Sequence, residues 1–235
     1  MREPARAPVA FVDLCHTIHP GMITYPGLPG PEISDYLSRD ASAPHYAAGT
    51  TFHIGQISMV ANTGTYLDSP YHRYEDGPDV SQLDLAQIAN LPGLVVRLRP
   101  PDSAAAEPPP RAVTERHFTD RDLRGKAVLI ATDWDLHWRS ERYQAAEHPF
   151  LTAAGARHLA AAGAALVGID SINIDDRADL ARPAHTLLLG AGIPIVEHLC
   201  GLRELPDEGF RFFAVPAKVR GLGTFPVRAF AILDR

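Results

Sequence analysis

The chain has 235 residues, 46% of them apolar, with 22 basic against 28 acidic side chains and two cysteines. That is ample for a core, while a net charge of −6 with no Lys/Arg-rich run argues against nucleic acid or an anionic membrane surface as partner. No apolar run approaches the ~20 residues that span a bilayer, the first six residues lack the apolar core of a secretory signal, and Cys15 and Cys200 make no CxxC or disulfide framework; the expectation is a cytoplasmic protein with two reduced, non-catalytic thiols, Cys15 simply buried.

Residues 1–9 are polar, Pro-rich and expected to fray. Phe11–Leu14 starts the first strand. From His16 to Gly30, recurring Pro and Gly forbid a helix and predict a fixed-shape loop with Tyr25 at its tip, either a plain surface turn or one wall of a pocket. Residues 33–50 read as a variable exposed loop. Ile54, Ile57, Met59 and Val60 among polar neighbours predict a strand over 51–60. It feeds Ala61–His72, the stretch on which a functional reading turns. Gly64 tolerates positive φ, and Pro70 fixes its own φ and biases Ser69 towards extended backbone. A strand entering so constrained a turn aims Asp68 and His72 at one point. A polar loop with a surface Asp and His is the bland alternative, at about even weight.

Beyond it, Asp79–Asn90 predicts a short amphipathic helix with Leu83, Leu85 and Ile88 inward. Leu94–Leu98 reads as a strand and residues 100–110 as a flexible Pro/Ala-rich excursion. Thr119–Leu123 opens a short helix or turn. The apolar run Ala127–Thr132 predicts a buried strand, with Asp133–Trp138 a pocket rim at its end. Thr152 caps and Gly163 ends the clearest helix, 151–162. Ala165–Asp170 is a second buried strand, Ala184–Leu189 a helical piece, and Ile193–Glu197 a strand ending on a carboxylate. Residues 210–217 and 227–233 close the chain as strands. The class is α/β, and many short strands against few helices predict a mixed, barrel-like sheet in one domain over 1–235. There is no GxGxxG, no GxxxxGK[ST] and no G-x-S-x-G elbow.

Asp68, His72, His185 and Glu197 are the available chemical groups. A carboxylate ending an apolar strand needs a partner or a metal, and Asp, Glu and His together make a mixed O/N site for Zn or Mn. Spacing alone links positions 68 and 185 only weakly. His16 and His19 read as shaping the first loop, His53 as structurally satisfied, and His137 with Trp134 and Trp138 as lid or core cover. His198 is expected on the face opposite Glu197; Asp170 and Ser171, at a strand end, read as bland, with a role supporting the site as the lesser alternative.

The link comes from a likeness. The ordered motifs Asp13–Ile18, Tyr25-Pro26-Gly27, Asn62–His72, Gly168–Ser171, His185, Glu197 and Thr224–Ala229 resemble those of the putative cyclase family, the kynurenine formamidase-like metal-dependent hydrolases, over nearly the whole chain. The resemblance implies a swivelling β/β/α domain, usually dimeric, with two zinc or manganese ions. It implies one metal on the two motif histidines and the motif aspartate, a second on that aspartate and a later histidine and acid, and the last motif histidine as general acid/base. On this chain Asp68, His185 and Glu197 match the second metal's ligands, and His72 matches the acid/base. Tyr25 stands where the family usually has a substrate-packing tryptophan. Within H-x-G-T-H-x-D-x-P-x-H, the first two histidines are replaced by Asn62 and Tyr66. An amide and a phenol are poor substitutes for imidazole, so the first metal site is expected to be missing.

The leading expectation is a mononuclear metal hydrolase of a small cyclic or aryl amide, ester or lactone. Asp68, His185 and Glu197 would hold one divalent Zn or Mn, His72 would move protons or serve as a fourth ligand, and Tyr25, Asn62 and Tyr66 would bind substrate, Tyr66 donating to an oxyanion. The alternatives are a metal-independent cyclase, lyase or isomerase using His72 and Tyr66, or a non-catalytic small-molecule binder. The partners expected are a small-molecule substrate and a second copy of the chain as a homodimer, with no nucleic acid and no membrane.

Overall fold

The computed structural model describes residues 10–99 and 110–234. Residues 1–9, expected from sequence to fray, and all but the last residue of the 100–110 segment lie outside the described residues. The strands are β1 (Phe11–Asp13), β2 (Glu32–Leu37), β3 (Ile54–Ser58), β4 (Tyr66–Asp68), β5 (Leu91–Arg97), β6 (Ala112–Val113), β7 (Ala127–Ala131), β8 (Phe150–Leu151), β9 (Leu166–Ile169), β10 (Ile195–Glu197), β11 (Phe210–Phe213), β12 (Thr224–Pro226) and β13 (Phe230–Leu233). The α-helices are α1 (Arg39–Ser42), α2 (Ala153–Ala162) and α3 (Pro183–Gly190).

One nine-stranded sheet runs β1-β13-β11-β5-β7-β9-β10-β4-β12 and curls into a half-barrel. Its centre is parallel: β5 with β7, β7 with β9, and β9 with β10. Antiparallel strands flank it on both sides. The apolar run of β7 is buried along its whole length, as a strand covered on both faces must be. Its side chains alternate between two cores. Ala127, Leu129 and Ala131 join Leu67, Val95, Val196 and Phe212 on one face. Val128 and Ile130 join Val167, Ile195, Leu159 of α2 and Leu188 of α3 on the other. Truncating Leu129 or Ile130, neither with exposed surface, opens a cavity costing about 2–5 kcal/mol.

α2 follows its sequence signals. The Thr152 hydroxyl accepts from the Gly155 N–H at 3.1 Å, and Gly163 ends the helix in the left-handed conformation at φ 80°. The strands expected at 11–14, 94–98, 127–132, 165–170 and 193–197 and in the C-terminal segments are present with shifted ends.

Two expectations need correction. Residues 33–50 are not a loop: β2, α1 and a 3-10 turn at Ala43–His45 lie there. The 51–60 strand exists as β3 but pairs only with β2 in a separate ribbon. The ribbon is exposed along nearly its whole length, so it carries little inside-outside alternation for a sequence to display. The helix over 79–90 is replaced by turns and a 3-10 segment at Leu85–Gln87. There the Asp79 carboxylate accepts from the Ser81 and Gly221 N–H groups and Asp84 accepts from Ala86. Such side-chain acceptors offer the backbone an alternative to helix. Leu85 is left 63% exposed while Ile88 is buried.

Candidate active site

The short strand β4 organises the site. It lies between β10 and β12, with Tyr66 opposite Glu197 and Pro226, and Asp68 opposite Ile195 and Thr224. Residues two apart on a strand, and residues directly opposite in antiparallel strands, share a face. Tyr66, Asp68, Glu197 and Thr224 therefore all point to the face that carries α3. Gly64, at φ 69°, lets the chain turn into β4; its N–H donates to Thr24 Oγ1 at 2.8 Å. After β4 the 3-10 turn Pro70–His72 brings His72 back over Asp68, and α3 lowers His185 onto both.

Asp68, His72 and His185 place ligand atoms within 4.8 Å of one another. His185 Nε2 lies 3.7 Å from Asp68 Oδ2 and 3.7 Å from Glu197 Oε1. His72 Nδ1 lies 3.8 Å from Asp68 Oδ1. Asp68 and Glu197 are buried. Asp68 Oδ2 is buried without a hydrogen-bond partner, a costly state for a carboxylate oxygen unless a cation meets it. Ligands about 2.1 Å from a tetrahedral ion stand about 3.4 Å apart, close to the two 3.7 Å separations. The mutually close set Asp68, His72 and His185 fits a divalent cation, and Glu197 lies beside it, 3.7 Å from His185 Nε2.

The surroundings fix each group. Asp175, buried, accepts from His185 Nδ1 at 2.7 Å and from the N–H groups of Ala184 and His185 at 2.6 and 3.1 Å. This aims His185 Nε2 at the two carboxylates. Burial opposes charge on His185, but the Asp175 and Asp68 carboxylates, with Glu197, outweigh it and lift its pKa to about 10. Burial lifts Glu197 to about 7, with His185 and Tyr66 pulling back and Asp68 adding to the rise. Glu197 accepts from the Tyr66 hydroxyl at 2.7 Å and the Ile174 N–H at 2.6 Å. Burial, then Glu197 and Asp68, hold the Tyr66 phenol well above its usual range, so it stays a donor. Thr224 Oγ1 donates to Asp68 Oδ1. Its single proton spent, Thr224 can only accept from His72 Nδ1–H, 2.9 Å away. In the neutral ring this places the lone pair on Nε2.

A cavity of about 440 Å³ opens onto this cluster, lined among others by Tyr25, Asn62, Tyr66, His72, Arg73 and Arg182. Of the residues singled out for the site, Tyr25, Asn62, Tyr66, His72, His185 and Glu197 line this cavity, and Asp68 lies buried beneath it beside His72 and His185. The hydroxyl of Tyr66, expected to donate to an oxyanion, donates here to Glu197. Sequence reading missed Asp175, Arg73 and Arg182, which no motif marks. Thr224 sat unremarked inside a motif that had been noticed.

Other candidates lie apart. Asp170 accepts from the Thr132 hydroxyl and the Thr132 and Asp133 N–H groups and braces the turn after β7. Trp134 is buried with Tyr143 and Ile172, and Trp138 stacks on His16 at 3.7 Å. His53 pairs with Asp35 at 2.8 Å. His198 is buried, with Nδ1 on the Tyr143 hydroxyl at 2.8 Å. Both thiols are free, and burial pushes Cys15 up to about 11 and Cys200 to about 12, which makes them unreactive. No helix among the described residues is long and apolar enough to cross a membrane.

The chain is similar to known proteins along most of its length. It is 26% identical over 220 residues to the kynurenine formamidase of Bacillus cytotoxicus, covering 93% of this chain and 95% of that one. A solved structure described as a potential metal-dependent hydrolase with cyclase activity superposes with a TM-score of 0.73 at 25% identity, covering 97% of this chain and 99% of the other. Isatin hydrolase A from Labrenzia aggregata shares the fold with a TM-score of 0.81 at 24% identity, over 97% of this chain and 94% of that one. Residues 12–176 match the family described as "Putative cyclase", and with most of its length so matched the chain belongs to that family.

Proposed function

We propose that this protein is a metal-dependent hydrolase that cleaves the C–N bond of a small cyclic or aryl amide, with one zinc or manganese ion per chain. The carrying observation is the convergence on His185 Nε2 of two buried carboxylates, Asp68 Oδ2, which makes no hydrogen bond, and Glu197 Oε1, each at 3.7 Å. Asp68, His185 and Glu197 would hold the ion, which supplies Lewis acidity towards a carbonyl and lowers the pKa of a water.

The chain's own groups do the rest. Thr224 fixes the His72 imidazole with Nδ1–H inward, so Nε2 takes a proton from the attacking water and returns it to the leaving nitrogen. Asp175 keeps His185 from turning. Tyr66 and the Ile174 N–H hold the Glu197 carboxylate in place. Tyr25 and the Asn62 amide line the wall where a ring and its polar substituent would rest. Asn62 and Tyr66 offer no imidazole for a second ion. Tyr66 as acid–base catalyst of a metal-free reaction is disfavoured, because its proton is held by Glu197 in a buried setting.

Kynurenine formamidase and isatin hydrolase relatives support the amide assignment. Two non-disulfide, unreactive thiols suit the cytoplasm. The exposed Ile33, Tyr36, Ile54 and Ile57 of the β2–β3 ribbon support a homodimer. One domain spanning 1–235 is supported by a sheet whose β1 and β13 pair. The test is metal content of protein purified without chelator, then hydrolysis of aryl formamides, lactones and cyclic imides before and after chelation and re-addition of Zn²⁺ or Mn²⁺. One ion per chain with metal-restored turnover is expected. Two ions per chain would show Asn62 and Tyr66 to have been misjudged, and turnover indifferent to chelation would sink the metal reading.

A further inference from the structure

We infer that Arg73 and Arg182 form a clamp for a carboxylate carried by the substrate, making the preferred substrate an anionic amide rather than a neutral one. Both line the cavity that opens onto Glu197 and His185. Arg73 Nε donates to Thr186 Oγ1 at 3.3 Å, and its guanidinium lies 5.4 Å over the Tyr74 ring. Thr186 is one helical turn from Arg182, its N–H bonded to the Arg182 carbonyl at 2.9 Å. Arg182 is the N-cap of α3 and Arg73 bonds to its first turn, so both guanidiniums sit at the N-terminal corner of α3.

Neither is neutralised. Among the described residues no carboxylate lies within salt-bridge distance of either. Arg182 spends NH1 on the Asp176 carbonyl at 2.9 Å, which leaves Nε and NH2 for a ligand; Arg73 keeps both terminal nitrogens. The two planar forks suit a carboxylate, which accepts two parallel N–H bonds. The backbone gives an independent sign. Arg182 sits at φ 48°, ψ 59°, a left-handed conformation unusual for a long side chain and worse before a proline, here Pro183. Strain of that kind persists where the surroundings hold it and is concentrated at binding sites. Here it turns the Arg182 side chain onto the cavity wall.

The inference deepens the hydrolase reading, and its test separates the two. Hydrolysis of ortho-, meta- and para-formamidobenzoate is compared with that of formanilide, in the wild type and in Arg73→Gln and Arg182→Gln. In parallel, benzoate and benzamide are titrated calorimetrically into the metal-loaded proteins. The best formamidobenzoate should exceed formanilide at least tenfold in kcat/KM. Each substitution should cut that ratio by roughly tenfold to a hundredfold, chiefly through KM, and weaken benzoate binding by a like factor. Arg73 lies on an exposed turn, so Arg73→Gln remains informative if Arg182→Gln loosens α3. If no formamide is turned over, the hydrolase reading fails while the benzoate titrations still decide the clamp. Equal ratios and equal benzoate affinities in all three proteins would overturn it.

Discussion

Without a metal, His185 is the cation between Asp68 and Glu197. Its pKa near 10 means that at pH 7.5 both ring nitrogens carry protons, one given to Asp175 and the other facing the two carboxylates. A divalent ion bound at Nε2 must expel that second proton. At pH 7.5 this costs about 3 kcal/mol, at ~1.36 kcal/mol per pH unit, or roughly 300-fold in affinity relative to a deprotonated site. Affinity should therefore rise about tenfold per pH unit from 7 to 9. Binding should release about one proton per ion from His185, with a fraction more from Glu197, whose pKa is near 7. Calorimetric titration of chelator-stripped protein with Zn²⁺ or Mn²⁺, in buffers of different ionisation enthalpy, reads the proton count directly. In Asp175→Asn the anion supporting the charged imidazole is gone, so the pH slope should flatten while affinity at pH 9 falls roughly 10–100-fold. Affinity independent of pH over 7–9, with no proton released, would refute the picture of a protonated His185.

Three further outcomes are expected. Thr224→Val removes the hydroxyl that orients His72 and should lower kcat about 100-fold with KM little changed, and Thr224→Ser should restore most of it. Gly223→Ala would set a Cβ 2.5 Å from the His72 backbone nitrogen and Cα. The turn must shift, so metal-dependent turnover should fall sharply while stability, read by urea denaturation, drops only as for an overpacked site, by about 1–3 kcal/mol. Acid should unfold the protein early. Burial holds His16 and His148 down to about 4 and His198 to about 3, so the unfolded chain binds protons the folded one refuses. Their contribution is fully present above about pH 6.5 and drains away as pH falls towards those values. At pH 5 each has lost about 2 kcal/mol, at ~1.36 kcal/mol per unit. Urea denaturation at pH 7.5 and pH 5 checks the sum, and equal midpoints would show these imidazoles to be solvated.

The buried parts of this fold were legible because burial writes itself into sequence. β7 and β9 are apolar on both faces, and α2 carries its cap at Thr152 and its stop at Gly163. The β2–β3 ribbon was not legible as paired, because its residues are nearly all exposed. Residues 79–90 have helical spacing of leucines, yet Asp79 and Asp84 satisfy the backbone locally instead. At the site, Asp68 and His72 stood out by their turn, whereas His185 and Glu197 needed a family likeness. Asp175 and Arg182 carry no such mark. Their roles depend on what α3 is placed against, and no local pattern encodes that.

β4 is three residues long, and its neighbours come from far along the polymer. Tyr66 meets Glu197 across 131 positions, and Thr224 meets Asp68 across 156. Closing such large loops is slow and gains nothing until the last pairing is made. A ribosome must therefore have passed Thr224 before the cluster around Asp68 and His72 is fully assembled. Nascent chains and truncations short of residue 224 should be catalytically silent even where their central strands have already condensed.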